Sequence, residues 1–520
     1  MSESNEPQSG VASATGVPGV IGLLDDGYEQ GAAVRKIPTG IRGFDHVAMG
    51  GLTARRATVI AGQAGSAKTL FAAQFLAQGV GFGQPGVFVT LEEPAADLRV
   101  NLRTLGWDIE AWEAAGDWRF VDASPLIRPQ SGEYPAYNVE TLAAQIGHAV
   151  DATAADRVVL DSLTAVLALQ PDVVIARRML RELVASLRAM GLTIVMTIET
   201  PGDPGGTLSD YGVEEFVADN VVLLRNVREG SFRRRTVEIL KMRGAMHRKG
   251  EVGFTILPGE GLVVLPVTAP QEDAGSPLAR VSFGDSGLDE LTHGGLVGAS
   301  STLVSGPTGS GKTLIATQFA TQFAAEGAAR GERVLFVAYE ETRAQVIRNG
   351  ATFGHDFLAY EEQGLLEILA LYPEVASLDD HLLEIQTRVK RFEPRRLVVD
   401  SLSALERLGS ALSYRGFIIG LTSFVKTVGA TTFVTAASAH LLGGPSVTDS
   451  HISGLIDGIL VLRHVETGSE LRRGILVLRM RGSSHEHQIR ELNVGPDGLV
   501  VGPPFLGLGG VLTGQPVARS

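Results

Sequence analysis

One eight-residue pattern occurs twice in this chain, and that recurrence constrains the fold more than any other feature. Gly62-Gln63-Ala64-Gly65-Ser66-Ala67-Lys68-Thr69 returns as Gly306-Pro307-Thr308-Gly309-Ser310-Gly311-Lys312-Thr313, with Lys68 and Lys312 standing 244 residues apart. A Gly-Gly-Leu triplet precedes each copy, at Gly50-Gly51-Leu52 and Gly294-Gly295-Leu296. Each copy is entered from an apolar, strand-like run, Thr58-Val59-Ile60-Ala61 or Thr302-Leu303-Val304-Ser305. Matching punctuation at one long offset indicates a duplicated domain, not a short-period solenoid. On this basis the 520 residues divide into a domain over 34–268 and a second over 269–500. The flanks are assigned to a disordered N-terminal tail, 1–33, and a C-terminal tail, 501–520.

The composition, 44% hydrophobic and 20% charged, is that of a globular protein with apolar material for two cores. No apolar run is long enough to span a membrane. The first residues lack the basic-then-apolar order of a secretory signal. Zero cysteines exclude disulfides and thiolate metal sites. Together these features lead us to expect a cytoplasmic protein. The formal charge of −13 argues against nucleic acid, because phosphate binding wants a basic surface.

The repeated pattern is that of a P-loop. Glycines let backbone N–H groups turn inward around phosphates, the lysine reaches the β- and γ-phosphates, and the next hydroxyl meets Mg²⁺. ATP and Mg²⁺ are therefore the expected cofactors, with Lys68 and Lys312 on the phosphates and Thr69 and Thr313 on the metal. The second copy fits GxxxxGK[ST] fully, whereas the first carries Ala67 in place of the last glycine. An alanine is tolerable there provided the local backbone keeps a negative φ.

An amphipathic helical stretch follows each loop, Leu70 to Gln78 and Leu314 to Ala325, and then a strand ending in paired acids, Glu92-Glu93 and Glu340-Glu341. A later apolar strand ends in Asp161 or Asp400. Carboxylates at the carboxyl ends of parallel strands face the nucleotide crevice of an open α/β sheet. Asp161 and Asp400 are candidates to hold Mg²⁺ through water, and the glutamate pairs to polarise an attacking oxygen. The alternative role of such a pair is to cap the next helix.

The chain order lysine, glutamate, aspartate is that of RecA-like ATPases, whose sites usually lie between subunits. The fold class expected is thus α/β, with two tandem RecA-like P-loop domains. A site between subunits needs a cation from a neighbour. Lys241-Met242-Arg243-Gly244 and Arg479-Met480-Arg481-Gly482 are the duplicated candidates, each following a β-like run. Arg243 and Arg481 could stabilise charge on the transferring phosphoryl as arginine fingers do. The competing role is an edge-strand charge that blocks aggregation. The Arg233-Arg234-Arg235 run reads as a hairpin or subunit contact in so acidic a chain.

From about Ile37 to about Leu492 the chain resembles the KaiC family of double-ring ATPases and autokinases of circadian clocks. The resemblance includes both P-loops, both Glu-Glu pairs, the [KR]MRG loops, Arg348-Asn349 and Tyr211-Gly212-Val213-Glu214-Glu215-Phe216. Its most specific segment is Thr448-Asp449-Ser450-His451-Ile452-Ser453-Gly454-Leu455-Ile456-Asp457. The resemblance implies a double-ring homohexamer, ATP hydrolysis in the first domain and autophosphorylation in the second. It implies ATP contacts from Gly65, Ser66, Ala67, Lys68, Thr69, Leu70, Thr104, Asp161, Lys241, Met242, Arg243 and His247 in the first copy. In the second it implies contacts from Thr308, Gly309, Ser310, Gly311, Lys312, Thr313, Leu314, Phe353, Asp400, Arg473, Arg479, Met480 and Arg481, with Glu340 at the Mg²⁺. The family normally carries an adjacent Ser-Thr acceptor pair; here that pair is Ser453-Gly454. Ser453 is accordingly the expected phosphoacceptor, with Thr448 as a further candidate.

The chain departs from the family at its end. Gly502-Pro503-Pro504-Phe505-Leu506-Gly507-Leu508-Gly509-Gly510-Val511-Leu512-Thr513-Gly514 is glycine-rich and apolar, unlike the polar tail on which the activator KaiA acts. The expectation is no KaiA binding, a KaiB-like partner on the first ring, and a histidine kinase or response regulator as candidate output. Two other classes compete: a RecA-type DNA motor or recombinase, against which the charge argues, and a nucleotide-gated scaffold with little turnover.

Overall fold

The computed structural model describes residues 34–123, 139–168, 172–200, 217–230, 232–266, 279–306, 332–352, 354–437, 454–467, 470–495, 498–505, 508–509 and 517–518. The expected N-terminal tail lies outside them.

The first domain is built on a nine-stranded sheet. Its strands are β1 (Ala57–Gly62), β2 (Gly86–Thr90), β3 (Trp118–Asp122), β4 (Arg157–Asp161), β5 (Thr193–Glu199), β6 (Asn220–Glu229), β7 (Phe232–Met242), β8 (Val252–Leu257) and β9 (Gly261–Val264). Their order is β3-β2-β4-β5-β1-β6-β7-β8-β9. The first six in this order run parallel, and β7, β8 and β9 add antiparallel strands at one edge. The second domain repeats the plan with β10 (Ser301–Gly306), β11 (Val334–Ala338), β12 (Leu366–Ala370), β13 (Arg396–Asp400), β14 (Thr431–Ala437), β15 (Gly458–Thr467), β16 (Glu470–Met480), β17 (Arg490–Gly495) and β18 (Gly498–Pro504). Its order, β12-β11-β13-β14-β10-β15-β16-β17-β18, matches the first strand for strand. The last strand runs through Pro504, past the tail boundary drawn at 500, because Leu492 and Arg490 pair with Val501 and Pro504.

The central strands are apolar on both sides because both faces of the sheet are covered. In β1 and β2, Val59, Ala61, Val87 and Val89 enter one core, while Ile60 and Phe88 enter the other. Helix α1 (Lys68–Gly81) supplies Phe71, Phe75 and Leu76 to the second face. Helices α2 (Val139–Thr153) and α3 (Val173–Ala189) bring Ile146, Leu183 and Leu187 to the first. In α3 the apolar positions Ala176, Leu180, Leu183, Val184 and Leu187 recur at helical spacing, and Asp172 caps its first turn by accepting from Val174 N.

Two fully buried arginines open equivalent strands. Arg157 donates to the carbonyls of Phe75 at 2.7 Å and Pro38 at 2.9 Å, and Arg396 to that of Ser282 at 2.9 Å. Burial pulls Arg157 down to about 10. These side chains donate to helix and loop carbonyls inside the core, which is why so costly a group is tolerated there.

The domains meet where strands β6 to β8 face the starts of two second-domain helices, α4 (Leu378–Phe392) and α5 (Ala411–Val428). Arg234 Nε donates to Asp379 at 2.8 Å, and Thr255 Oγ1 to Asp380 at 2.5 Å. Glu229 accepts from Ser410 N at 2.8 Å and Ser413 Oγ at 2.5 Å. The middle residue of the arginine run thus bonds across the domain junction, and Arg233 closes its own hairpin on the Asn226 carbonyl.

Candidate functional site

In the first domain the glycine-rich segment turns between β1 and α1. Gly62 stands where any Cβ would meet Leu224 O and Ser66 Oγ, each at 2.4 Å. That lets Ser66 fold beneath the loop, fully buried and with its hydroxyl unpartnered. Asn226 Nδ2 holds Gly65 O at 3.2 Å from the neighbouring strand, while its own Oδ1 is buried without a partner. Gly65 and Ala67 both have φ of 73°. The condition of a negative φ at Ala67 is therefore not met: the residue before the lysine is left-handed, and the alanine adopts that conformation.

Lys68 Nζ donates to Gln63 O at 2.9 Å. Burial pulls its ammonium down, opposed by Glu199, Asp161 and Glu92. Asp161, buried at the end of β4, accepts from Thr197 Oγ1 and from Thr69. Burial raises its carboxyl against those hydrogen bonds and Lys68. Thr69, Lys68, Asp161 and Glu92 are thus drawn together by two strand ends and one helix start. Oxygen donors from a threonine and a buried aspartate suit a hard cation bound mainly through a nucleotide and water. The unpartnered Ser66 hydroxyl and the left-handed turn at Gly65 and Ala67 suit a phosphate. The residues therefore fit Mg²⁺–ATP.

The acid pair follows β2. Ser162 Oγ donates to Glu92 at 3.3 Å, and Asn101 Nδ2 to Glu93 at 2.7 Å. Burial raises both carboxyls, against Ser162 for Glu92; for Glu93, Asp161 adds to the rise and the Asn101 bond opposes it. The second copy reproduces this. Asn349, in the helix over Arg343–Thr352, donates to Glu341 at 2.9 Å, and Thr435 Oγ1 donates to Asp400. Burial raises Glu341, helped by Asp400 and opposed by Asn349. Glu340 lies exposed beside it.

The [KR]MRG cations sit elsewhere. Met242 pairs with Asn220, which pairs with Thr58, four residues before Gly62. Met480 pairs with Gly458, and Gly458 with Thr302, four residues before Gly306. At about 3.3 Å per residue, each cation loop lies about 13 Å down the sheet from its own P-loop. There Lys241 Nζ donates to Ala218 O at 2.9 Å and Arg243 N to Asp219 O at 3.0 Å. Arg479 and Arg481 donate to Ile456 O at 2.6 Å and Gly454 O at 2.8 Å. His247 is half-buried and contacts the Arg248 carbonyl. Arg473 lies on β16 opposite His464. Leu70 is half-buried in α1, and Thr104 ends the helix over Ala95–Arg103, bonded to Asn101 O. Pro307 to Thr313, Leu314, Phe353, the 211–216 segment, Thr448 and Ser453 lie outside the described residues.

Two glycine-rich motifs, each accompanied by a buried aspartate and an amide-held glutamate on a repeated sheet, are matched by a family model described as the KaiC ATPase, over residues 37–269 and 281–505. The chain belongs to the KaiC ATPase family. Relatives within it include the circadian clock protein KaiC3 of Synechocystis, 47% identical over 93% of this chain and 95% of its own length. The circadian clock oscillator protein KaiC of Acaryochloris marina is 43% identical over 94% and 92%, and that of Thermostichus vulcanus 42% over 95% and 94%. A KaiC ATPase binds and hydrolyses ATP, so this is a clock-type ATPase with two tandem RecA-like domains. Among the described residues no helix is long and apolar enough to cross a membrane.

Sequence reasoning passed over Ser162, Thr197, Glu199, Asn226 and, in the first copy, Asn101. Thr197 and Thr435 recur at equivalent strand positions and Asn101 matches Asn349, so aligning the two halves residue by residue would have exposed them.

Proposed function

We propose that the first domain hydrolyses ATP, that the second transfers phosphate to Ser453, and that the chains assemble as a ring, expected to be a hexamer, in which each [KR]MRG loop serves a neighbour's nucleotide. The observation that carries this is strand register. A pair of cations about 13 Å down the sheet from its own P-loop cannot neutralise its own γ-phosphate. Placed at a subunit edge, it can meet the next chain's.

In the first site Glu93 takes a proton from water as the water oxygen bonds the γ-phosphorus and the bond to the ADP oxygen breaks. Lys68 and the incoming Arg243 balance charge on the transferring group. Asp161 and Thr69 would hold Mg²⁺, which would supply positive charge against the charge developing on the phosphates. In the second site Glu341 accepts the proton of Ser453 Oγ as that oxygen bonds the γ-phosphorus and the bond to the departing ADP oxygen breaks. The tether from Arg481 to Gly454 O supports placing the acceptor segment beside a subunit's cation loop.

The relatives' names support a timing role, with a KaiB-like protein as the candidate partner and a histidine kinase or response regulator as candidate output. Intact-mass spectrometry after incubation with Mg²⁺–ATP tests the kinase reading. One added phosphate, lost in Ser453→Ala, is expected; full labelling of Ser453→Ala would refute it. Mixing Lys68→Ala chains with Arg243→Ala chains tests the shared site, because mixed rings should regain hydrolysis that neither variant shows alone.

A further inference from the structure

Ala67 stands where the second copy has Gly311. It is the residue before Lys68, at the start of α1, with φ 73° and ψ 29°. Glycine enters this region freely, whereas a Cβ crowds the neighbouring carbonyl, so a non-glycine residue persists there only when its surroundings enforce it. The surroundings do so. Ser66 N donates to Gln63 O at 3.1 Å, Lys68 Nζ to the same carbonyl at 2.9 Å, and Asn226 Nδ2 to Gly65 O at 3.2 Å. Ser66 is packed beneath against Gly62. Phe71 N then takes Ala67 O at 2.9 Å, so the helix begins on the strained residue.

We propose that Ala67 is a positioning residue that loosens nucleotide binding in the first site relative to a glycine loop. The proposal rests on the reading of residues 62–69 as the phosphate loop. Its physical content is a competition. Swinging φ of Ala67 to a negative value relieves the methyl group but reorients the peptides on either side, 66–67 and 67–68. Those are the peptides whose N–H groups must face phosphate. Only the left-handed fraction of loops is competent, and the apparent dissociation constant is the intrinsic one divided by that fraction. The left-handed penalty of an alanine corresponds to a weakening of about three- to ten-fold. ATP and ADP both contact the loop, so both are weakened, and ADP leaves sooner.

The test uses the full chain carrying Lys312→Ala, which silences the second loop, and titrates fluorescent ATP and ADP analogues with Mg²⁺. Ala67→Gly is expected to tighten ADP binding three- to ten-fold and to lower KM for ATP in step. Ala67→Val, with a β-branched side chain still less tolerant of positive φ, is expected to weaken both. A purely structural role would instead move the melting temperature of the nucleotide-free protein and leave the dissociation constants in place. Equal or weaker binding by Ala67→Gly overturns the proposal, and that variant decides alone if Ala67→Val does not fold. Failure of both the parent and Ala67→Gly to bind, while Lys68→Ala chains still bind through the second site, overturns the phosphate-loop reading itself and the proposal with it.

Discussion

The two nucleotide sites share one frame and differ in what stands around it. In both, a threonine from the strand beside the P-loop strand donates to the buried aspartate, and an amide from the next helix holds the second glutamate. Outside this frame, β5 ends in Glu199, which faces Lys68 and Glu92, whereas β14 ends in Ala437. Leu91 precedes the first acid pair and the buried Tyr339 the second. The cation loops diverge too. The first is fastened to the sheet end through Arg56 Nη1 on Arg243 O at 2.8 Å, while the second reaches into the turn that follows Ser453. The threonine–aspartate and amide–glutamate pairs recur within the duplication, and the residues that surround them differ.

The largest effect should come from separating the acid pairs. Glu92→Gln with Glu93→Gln is expected to cut steady-state hydrolysis about a thousand-fold while sparing phosphate incorporation, and Glu340→Gln with Glu341→Gln to do the reverse. Phosphate release and radiolabel incorporation measure the two outputs, and equal loss of both in both variants would abolish the distinction between the sites. Next, Arg243→Ala should lower hydrolysis about a hundred-fold, less than a full arginine-finger effect because Lys241 remains. A hydrolysis rate unchanged in Arg243→Ala would show that the first site does not use this cation.

A smaller effect concerns pH. A general base works only when ionised, and burial raises Glu93, so the acidic limb of hydrolysis should lie above the ordinary glutamate range. The Asn101 hydrogen bond opposes that rise, so Asn101→Ala should move the limb to still higher pH and lower the rate a few-fold near the limb. A pH–rate profile that shifts downward would contradict the assignment. The smallest expected effect is at Glu199. Glu199→Ala removes a carboxylate facing Lys68 and should change KM for ATP about two- to three-fold, bringing the first site closer to the second. Titration of hydrolysis against ATP concentration reads this out.

Much of the frame was legible because its chemistry depends on local spacing. A P-loop, an acid pair after a strand and an aspartate at a strand end are contiguous patterns, and their repetition at one offset separates them from chance. The partners of those residues come from distant segments. Thr197 meets Asp161 because β5 lies beside β4, and Asn226 reaches Gly65 because β6 lies beside β1; neither residue advertises itself in its own neighbourhood. Arg157 and Arg396 stand at the starts of apolar strands, and only three-dimensional packing reveals the carbonyls they meet inside the core.

By itself the sequence determined that there are two α/β domains, which segments carry the repeated glycine–lysine motif, and which carboxylates stand at strand ends, since periodicity and glycine placement are local consequences of backbone geometry. Tertiary structure alone decided that Ala67 is left-handed, that each cation loop lies about 13 Å down the sheet from its own P-loop, and that Arg234 bonds across the domain junction to Asp379. Those outcomes depend on which strands become neighbours and in what register. Register is set by the burial of two whole sheet faces, not by any residue's immediate surroundings.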